Sequence, residues 1–471
     1  MDVRAGVAMI EAGDGLERLA KFPFALLTWV GEDGYPVSAA VQPEIDASAG
    51  TVAFRAPAGM TVPLGGEISL TGSHIRPQPG VGYDERRHVT VWGTATHAAN
   101  SSSDARLTFV ATAAWGWDEA TIPFPEYVER QVGQSHRYLA RLSRETGRLV
   151  RPRLSLGWLT LRATRLPFLS ATFVPVAIGI AIAAVQGYFD LASAVLTLIG
   201  AAAVHLALNV ANDVFDAHLG ADDQNVNPTQ YSGGSRVIQY GLVSLRRMTL
   251  ISAAFYAIAL AIGLLLLLTR YSPALLAIGV LGIVLSLFYT APPFKLVYRG
   301  LGEITTAVGF GPLMLVGAYV VQTLGALHPE PFVASVPIAL LVALILYVNE
   351  VPDRSADARA GKRTLPVRLT RQAVVNLYVV AASTAFAVIV LGVLAGFLPL
   401  PALLALLALP LVGRVRDGLV RYYEQPYGLM AVMAVNIRVH LYVGGLLLAA
   451  YLLVLLVSAI VPGAPLFIRW R

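Results

Sequence analysis

The chain has 471 residues, of which 56% are hydrophobic and 14% charged, and its mean hydropathy is +0.63. That balance excludes an ordinary soluble globular protein and a disordered chain. The lack of Cys excludes disulfides, thiolate metal sites and Cys nucleophiles, and the net charge of +6 comes from residues 166–471, with 18 basic against 12 acidic side chains.

Residues 1–165 carry 17 basic and 17 acidic side chains and have the character of a soluble domain. No basic start followed by an apolar core marks the first 30 residues, so no secretory signal is expected. Short β-like runs alternate with turns: Phe24 to Val30, Val37 to Val41, Thr51 to Arg55, Ile68 to Thr71 and Val89 to Thr96. Asp33-Gly34 and the Gly and Pro clusters at 57–66 and 76–82 supply the turns. A helical stretch is expected near Phe124 to Arg144. His74, His88, His97 and His136 show no metal-ligand spacing. The expected boundaries are a soluble domain over 1–147, an Arg-rich membrane-proximal linker over 148–165, and a transmembrane domain over 166–471.

Apolar runs near bilayer length occur at about 168–187, 190–211, 249–268, 273–291, 303–325, 332–350, 372–396, 398–413 and 437–460. The fold class expected is an all-α polytopic bundle of about nine transmembrane helices, preceded by a mainly β domain. Connections after the second, fourth, sixth and eighth runs are rich in Arg and Lys. Those between the other runs hold only Arg270. Basic loops stay in the cytoplasm, so the N-terminal domain and the long loops are expected on the cytoplasmic face of the cell membrane. The partners expected are the bilayer and small substrates, with no nucleic acid; oligomeric state is not legible.

Seven of the 12 acids of the second domain fall in two similar clusters. One is Asn212-Asp213-Val-Phe-Asp216 with Asp222 and Asp223. The other is Asn349-Glu350-Val-Pro-Asp353 with Asp357. Asp213 and Asp216 share a helix face, as do Asn349, Asp353 and Asp357; Gly220 is a helix stop, and Pro352 is expected to kink its helix. Carboxylates at the ends of membrane helices are costly and point to function. Two facing sets of hard oxygen ligands suit Mg²⁺ together with a phosphate-bearing substrate. Of only three Lys in the chain, Lys295 and Lys362 lie in these loops, with Arg236, Arg299 and Arg363 near by. The run Ser232-Gly233-Gly234-Ser235 reads as a flexible loop whose N–H groups could approach phosphate.

These motifs resemble the UbiA family of intramembrane prenyltransferases. Asn212-Asp213-x-x-Asp216 with Asp222 is similar to the family's first Asp-rich motif, and Asp353-x-x-x-Asp357 to its second. Tyr289-Thr-Ala-Pro-Pro-Phe-Lys295, followed by Arg299 and Gly302-Glu303, is similar to the loop after its fourth span. Within the family, Ser232 to Gly241 and Gly361 to Arg368 resemble 1,4-dihydroxy-2-naphthoate polyprenyltransferases. The resemblance implies Mg²⁺, two ions, held by Asp213, Asp216, Asp222, Asp353 and Asp357, with Asn212 and Asn349 as further oxygen donors. It implies a polyprenyl diphosphate as donor, an aromatic acceptor, and an apolar tunnel for the tail. Lys295, Arg299 and Lys362 would neutralise the departing diphosphate, with Arg236 and Arg363 also binding it, and Tyr289 would flank the allylic cation.

The front domain resembles the split β-barrel of pyridoxamine-phosphate-oxidase-like flavin-binding proteins, through Phe22-Pro-Phe-Ala-Leu-Leu-Thr28, Asp33-Gly-Tyr-Pro36 and Arg87 to Ala95. Where such proteins offer cations to the flavin phosphate, this chain has Gly59-Met-Thr-Val-Pro63. It is therefore read as a regulatory or partner-binding module, with a degenerate flavin site as the alternative. Three alternatives stand beside the leading reading. One is transfer to homogentisate, a chlorophyll-like ring or glycerol phosphate; another is a membrane flavin and quinone redox protein. The third, a metal-coupled transporter, would place its charges near mid-membrane, whereas these lie at helix ends.

Overall fold

The structure is a computed structural model and describes residues 10–78, 82–97, 106–122, 127, 139–150, 156–220, 225, 229, 231–461 and 464–468. The chain divides into two compact units, Met1–Val150 and Arg151–Arg471.

In the first unit, alternation decides the sheet. Strand β1 (Ala25–Val30) turns Ala25, Leu27 and Trp29 inward. The Asp33-Gly34 turn reverses the chain into β2 (Pro36–Val41), with Gly34 at φ 81° and Asp33 Oδ1 accepting from the Tyr35 N–H at 3.1 Å. After β3 (Glu44–Asp46) and β4 (Thr51–Arg55) come three long strands: β5 (Glu67–Gln78), β6 (Gly82–His97) and β7 (Arg106–Asp118). All pairs are antiparallel, in the order β2-β1-β5-β6-β7-β4-β3. Helix α1 (Ala12–Leu19) lays Leu16 and Leu19 on a core of Leu27, Leu70, Val91 and Phe109. The sheet is open, which corrects the expectation of a barrel: closure would require β2 to pair with β3, which is only three residues long. Strand β7 was not anticipated, because its Ala-Thr-Ala-Ala centre carries little β signal. Residues 139–146 are helical; much of the helix expected before them falls outside the described residues.

The second unit is helical: α2 (Leu156–Thr164), α3 (Ser170–Val185), α4 (Leu191–Leu219), α5 (Leu245–Thr269), α6 (Pro273–Phe288), α7 (Gly302–Gln322), α8 (Pro329–Arg359), α9 (Arg371–Leu394), α10 (Leu409–Tyr422) and α11 (Leu429–Ile460). Helical structure occupies all nine expected runs. Among the described residues, six helices, α4, α5, α7, α8, α9 and α11, are long and apolar enough to cross a membrane; α3 and α6 are apolar but shorter. The eighth run begins as a 3₁₀ segment, Leu400–Ala408, before α10. The helix-capping side chains Asp190, Ser244, Ser272 and Thr370 each accept an N–H from the first turn they precede.

The bundle closes around α8, the most buried of the candidate spans. Small residues let the backbones approach: a Cβ on Gly179 of α3 would lie 2.2 Å from the Leu315 carbonyl oxygen of α7, and one on Gly311 2.4 Å from Ala339 Cβ of α8. Helix α7 carries a π-turn at Gly309–Leu313, ahead of its continuation from Met314. Helix α8 continues as helix through Pro352 to Arg359. Pro352 lies inside the helix and is buried. The odd-numbered connections of the bundle gather a separate polar group, in which Arg270 pairs with Asp190 at 2.9 Å and Gln186 donates to Glu330 at 2.8 Å.

Candidate active site

Helix α4 ends on Gly220 in the left-handed conformation, φ 74°, after carrying Asn212, Asp213 and Asp216 to its final turns. Asp213 is 2% exposed and takes two partners: Arg165 Nη2 at 2.5 Å and the Ser235 N–H at 3.2 Å. Asp216 accepts from Tyr298 Oη at 2.7 Å and Asn212 Nδ2 at 3.1 Å; Asn212 in turn accepts from Thr290 Oγ1 at 2.8 Å. From α8, Asp353 accepts from Asn225 Nδ2 at 2.9 Å and the Gly233 N–H at 2.8 Å. The loop at 232–235 therefore laces the two acidic motifs together through its backbone. Gly233 and Gly234, at φ 76° and 77°, permit the turn that aims those N–H groups.

Lys362 sits between the motifs, its Nζ 3.8 Å from both Asp216 Oδ2 and Asp357 Oδ1. Burial pulls its pKa down, but the carboxylates of Asp216, Asp357 and Glu350 outweigh that and hold it well above the ordinary lysine value. Burial, and then the neighbouring Asp216, push the Tyr298 phenol up, so it stays a hydrogen-bond donor at neutral pH.

These groups line a cavity of about 170 Å³, walled by Asn212, Asp216, Tyr289, Asn349, Asp353, Asp357 and Lys362, with Arg165, Tyr231, Glu350 and Phe310. A second cavity of about 630 Å³ is lined almost wholly by apolar residues of α4, α5, α6 and α7. His205, Leu208, Tyr289, Thr306 and Phe310 border both. A charged chamber thus opens beside an apolar one at a shared wall. Gly263, Gly279 and Gly282 line the apolar chamber with open space where a side chain would project.

The structure sorts the residues expected from sequence. Asn212, Asp216, Asn349, Asp353, Asp357, Lys362 and Tyr289 meet in the polar cavity, and Asp213 stands behind it on Arg165. Lys295, Arg299 and Arg363 do not join them. With Arg368 and Tyr298 they line a separate basic recess; the Tyr298 ring centroid is 5.8 Å from Lys295 Nζ and 5.6 Å from Lys362 Nζ. Arg236 is spent on the loop itself, donating to the Asn225 carbonyl at 3.0 Å. Asp222 lies outside the described residues. Among the described residues no three His, Asp or Glu are grouped closely enough to hold a metal ion. The donor set nonetheless suits Mg²⁺: carboxylates from two helices face one cavity, and Asp357 Oδ2 and Asn349 Oδ1 are buried without hydrogen-bond partners. Sequence reasoning missed Arg165, read as one cation of a membrane-proximal run, and Tyr298, Asn225 and Tyr231, which no local motif singles out.

The model of the UbiA prenyltransferase family matches residues 172–426, more than half of the chain. A 1,4-dihydroxy-2-naphthoate octaprenyltransferase of Mycobacterium tuberculosis is 34% identical over 229 residues, which cover 48% of this chain and 75% of that one. A 2-carboxy-1,4-naphthoquinone phytyltransferase of Synechocystis is 27% identical over 296 residues, 62% of this chain and 92% of the relative. Among solved structures, a UbiA homolog from Aeropyrum pernix K1 aligns with a TM-score of 0.48 at 20% identity, covering 59% of this chain and 97% of that one. The chain belongs to the UbiA prenyltransferase family and is a multi-pass membrane prenyltransferase.

Proposed function

We propose that the enzyme transfers a polyprenyl group from its diphosphate to 1,4-dihydroxy-2-naphthoate, with Mg²⁺, at the cytoplasmic face of the cell membrane. The observation that carries this reading is the shared wall between a cavity of Asp, Asn and Lys and a larger apolar one. A prenyl diphosphate has the same two parts. The acceptor is taken from the relatives, several of which are named for prenylation of 1,4-dihydroxy-2-naphthoate.

The residues divide the work. Asp216, Asp353 and Asp357, with Asn212 and Asn349 and with Asp222 beyond the described region, would hold the metal, and Asp213 would complete the set only by exchanging Arg165 for it. The chemistry it supplies when bound is Lewis-acid withdrawal of charge from the diphosphate. Lys362 and Arg165 place fixed positive charge where the leaving group gains negative charge. Lys295, Arg299 and Arg363 offer cations along the adjoining recess, by which an anionic headgroup approaches or departs. Tyr289, on the shared wall, presents its ring to the allylic carbon as the C–O bond breaks. The apolar chamber holds the tail and keeps water from the cation. The N-terminal sheet domain serves as a regulatory or partner-binding module rather than a flavin carrier. A colourless preparation agrees with that; absorbance near about 450 nm in the purified protein would overturn it.

The test is turnover in detergent with radiolabelled geranylgeranyl diphosphate, Mg²⁺ with and without EDTA, and a panel of acceptors. A Mg²⁺-dependent prenylated naphthol supports the reading. Bound donor with no product from naphthoate would move the acceptor to homogentisate, a chlorophyll-like ring or glycerol phosphate.

A further inference from the structure

Below the aspartates lies a second pair of acids that the scheme above leaves unused. Glu350 and Glu303 are 5% and 7% exposed, from different helices, and their carboxyl groups adjoin one another. Apart from that mutual contact, no donor among the described residues reaches either oxygen of Glu350 or Oε1 of Glu303. Burying carboxyl oxygens without donors is costly in free energy, and Glu350 lies on the cavity wall. Packing alone would be served better by an apolar residue of that size.

Position along α8 says what meets it. Asp353 lies about 4.5 Å further along the helix axis than Glu350, and Asp357 about 10 Å further, at the helical rise per residue. On the other side of Glu350, Leu346, Ile345 and Val342 continue the wall toward Phe310 and the apolar chamber. Diphosphate belongs with the aspartates and tail with the apolar chamber. The reacting carbon must therefore lie at the level between them, beside Tyr289 and Glu350, and the acceptor ring must lie against that carbon. A bare carboxyl is a poor neighbour for phosphate and a good one for a hydroxyl proton.

We propose that Glu350 accepts a hydrogen bond from a ring hydroxyl of the aromatic acceptor, and that Glu303 is the positioning residue that fixes its carboxyl. This rests on the acceptor class proposed above. The substrate feature recognised is a phenolic hydroxyl, which a glycerol phosphate or a quinone ring lacks.

The test uses the full-length enzyme in detergent as wild type, Glu350→Ala, Glu350→Gln and Glu303→Gln. Two quantities are read. The first is the Kd of labelled geranylgeranyl diphosphate with Mg²⁺. The second is the inhibition constant of the naphthoate pair with two hydroxyls and with one, so that ring reactivity does not enter. In Glu350→Ala, donor Kd should stay within about twofold, while acceptor affinity should fall about five- to hundredfold, the range for leaving a buried polar group without its partner. The preference for the second hydroxyl should be present in wild type, vanish in Glu350→Ala, and survive in part in Glu350→Gln, which keeps one acceptor oxygen. Glu303→Gln should weaken acceptor binding and leave donor Kd alone. Two results overturn the proposal: lost donor binding in Glu350→Ala, which would assign the residue to the diphosphate or its metal, or an unchanged hydroxyl preference. If wild type binds donor but ignores naphthoate, the acceptor reading fails separately. The same comparison on whichever phenol it does use then judges Glu350, and a preferred acceptor with no ring hydroxyl overturns it.

Discussion

Single side chains in this protein carry paired duties that their neighbours define. Asp213 anchors Arg165 and the amide of Ser235, whereas Asp353 holds Asn225 and the amide of Gly233. Replacing either Asp by Ala should leave a folded, monodisperse membrane protein with under about 1% of wild-type turnover, the scale of losing one transition-state stabiliser. Labelled-product assays beside gel filtration check it, and full activity in both variants would remove the metal site from the mechanism. Lys362→Met should lower kcat by about a hundredfold on the same reasoning. It should also loosen the link between Asp216 and Asp357, read as faster proteolysis of the loop at 360–364. In the sheet domain, His88 packs among Trp115, Trp117 and Tyr127, and burial lowers its pKa below the ordinary value. Above the unfolded value of about 6.5 the ring is neutral folded or unfolded, so it has no effect on stability there. Below it the unfolded chain gains the proton first and stability is lost. Thermal unfolding of residues 1–150 between about pH 7 and pH 5 should show that loss, and His88→Gln should lessen it.

At the level of elements, legibility followed the physics of each signal. The helix stop at Gly220 and the Asp33-Gly34 hairpin were readable because a left-handed turn has few residues to choose from. The acids of α4 and α8 were readable because charge at the end of an apolar helix is conspicuous. Arg165 was not: one more Arg in a basic run carries no local mark, and only the folded chain shows it at Asp213, 48 residues on. The division of the cations was likewise hidden. Lys295 and Lys362 look alike in sequence, yet they line different recesses, with the ring of Tyr298 close to both. Helices α5 and α6 supply the next prediction. Gly263 and Gly282 face the apolar chamber with room beyond each Cα. Gly263→Phe or Gly282→Phe should therefore spare short prenyl donors and exclude long ones. Equal use of all chain lengths by both variants would show that the tail lies elsewhere.

Taken whole, the molecule is two units with separate cores, one built on Leu27, Leu70 and Phe109 and the other around α8. Every residue assigned to transfer belongs to the second. A protein comprising residues 151–471 should insert into membranes and retain prenyl transfer within about tenfold of the full chain. Assay of the truncated enzyme in the same detergent checks this, and complete loss would show that the sheet domain is needed for the chemistry itself.

The lacing of the two acidic motifs by the loop at 232–235 bears on how the enzyme is made. Gly233 meets Asp353 across 120 residues, and Asp216 meets Lys362 across still more. A ribosome delivers the first motif while helix α8 is still unsynthesised. During that interval the early aspartates have neither their opposite bank nor their central ammonium. The chamber is therefore completed late in synthesis, after most of the bundle has entered the bilayer, and a chain stalled before Lys362 carries the opening motif but no working site.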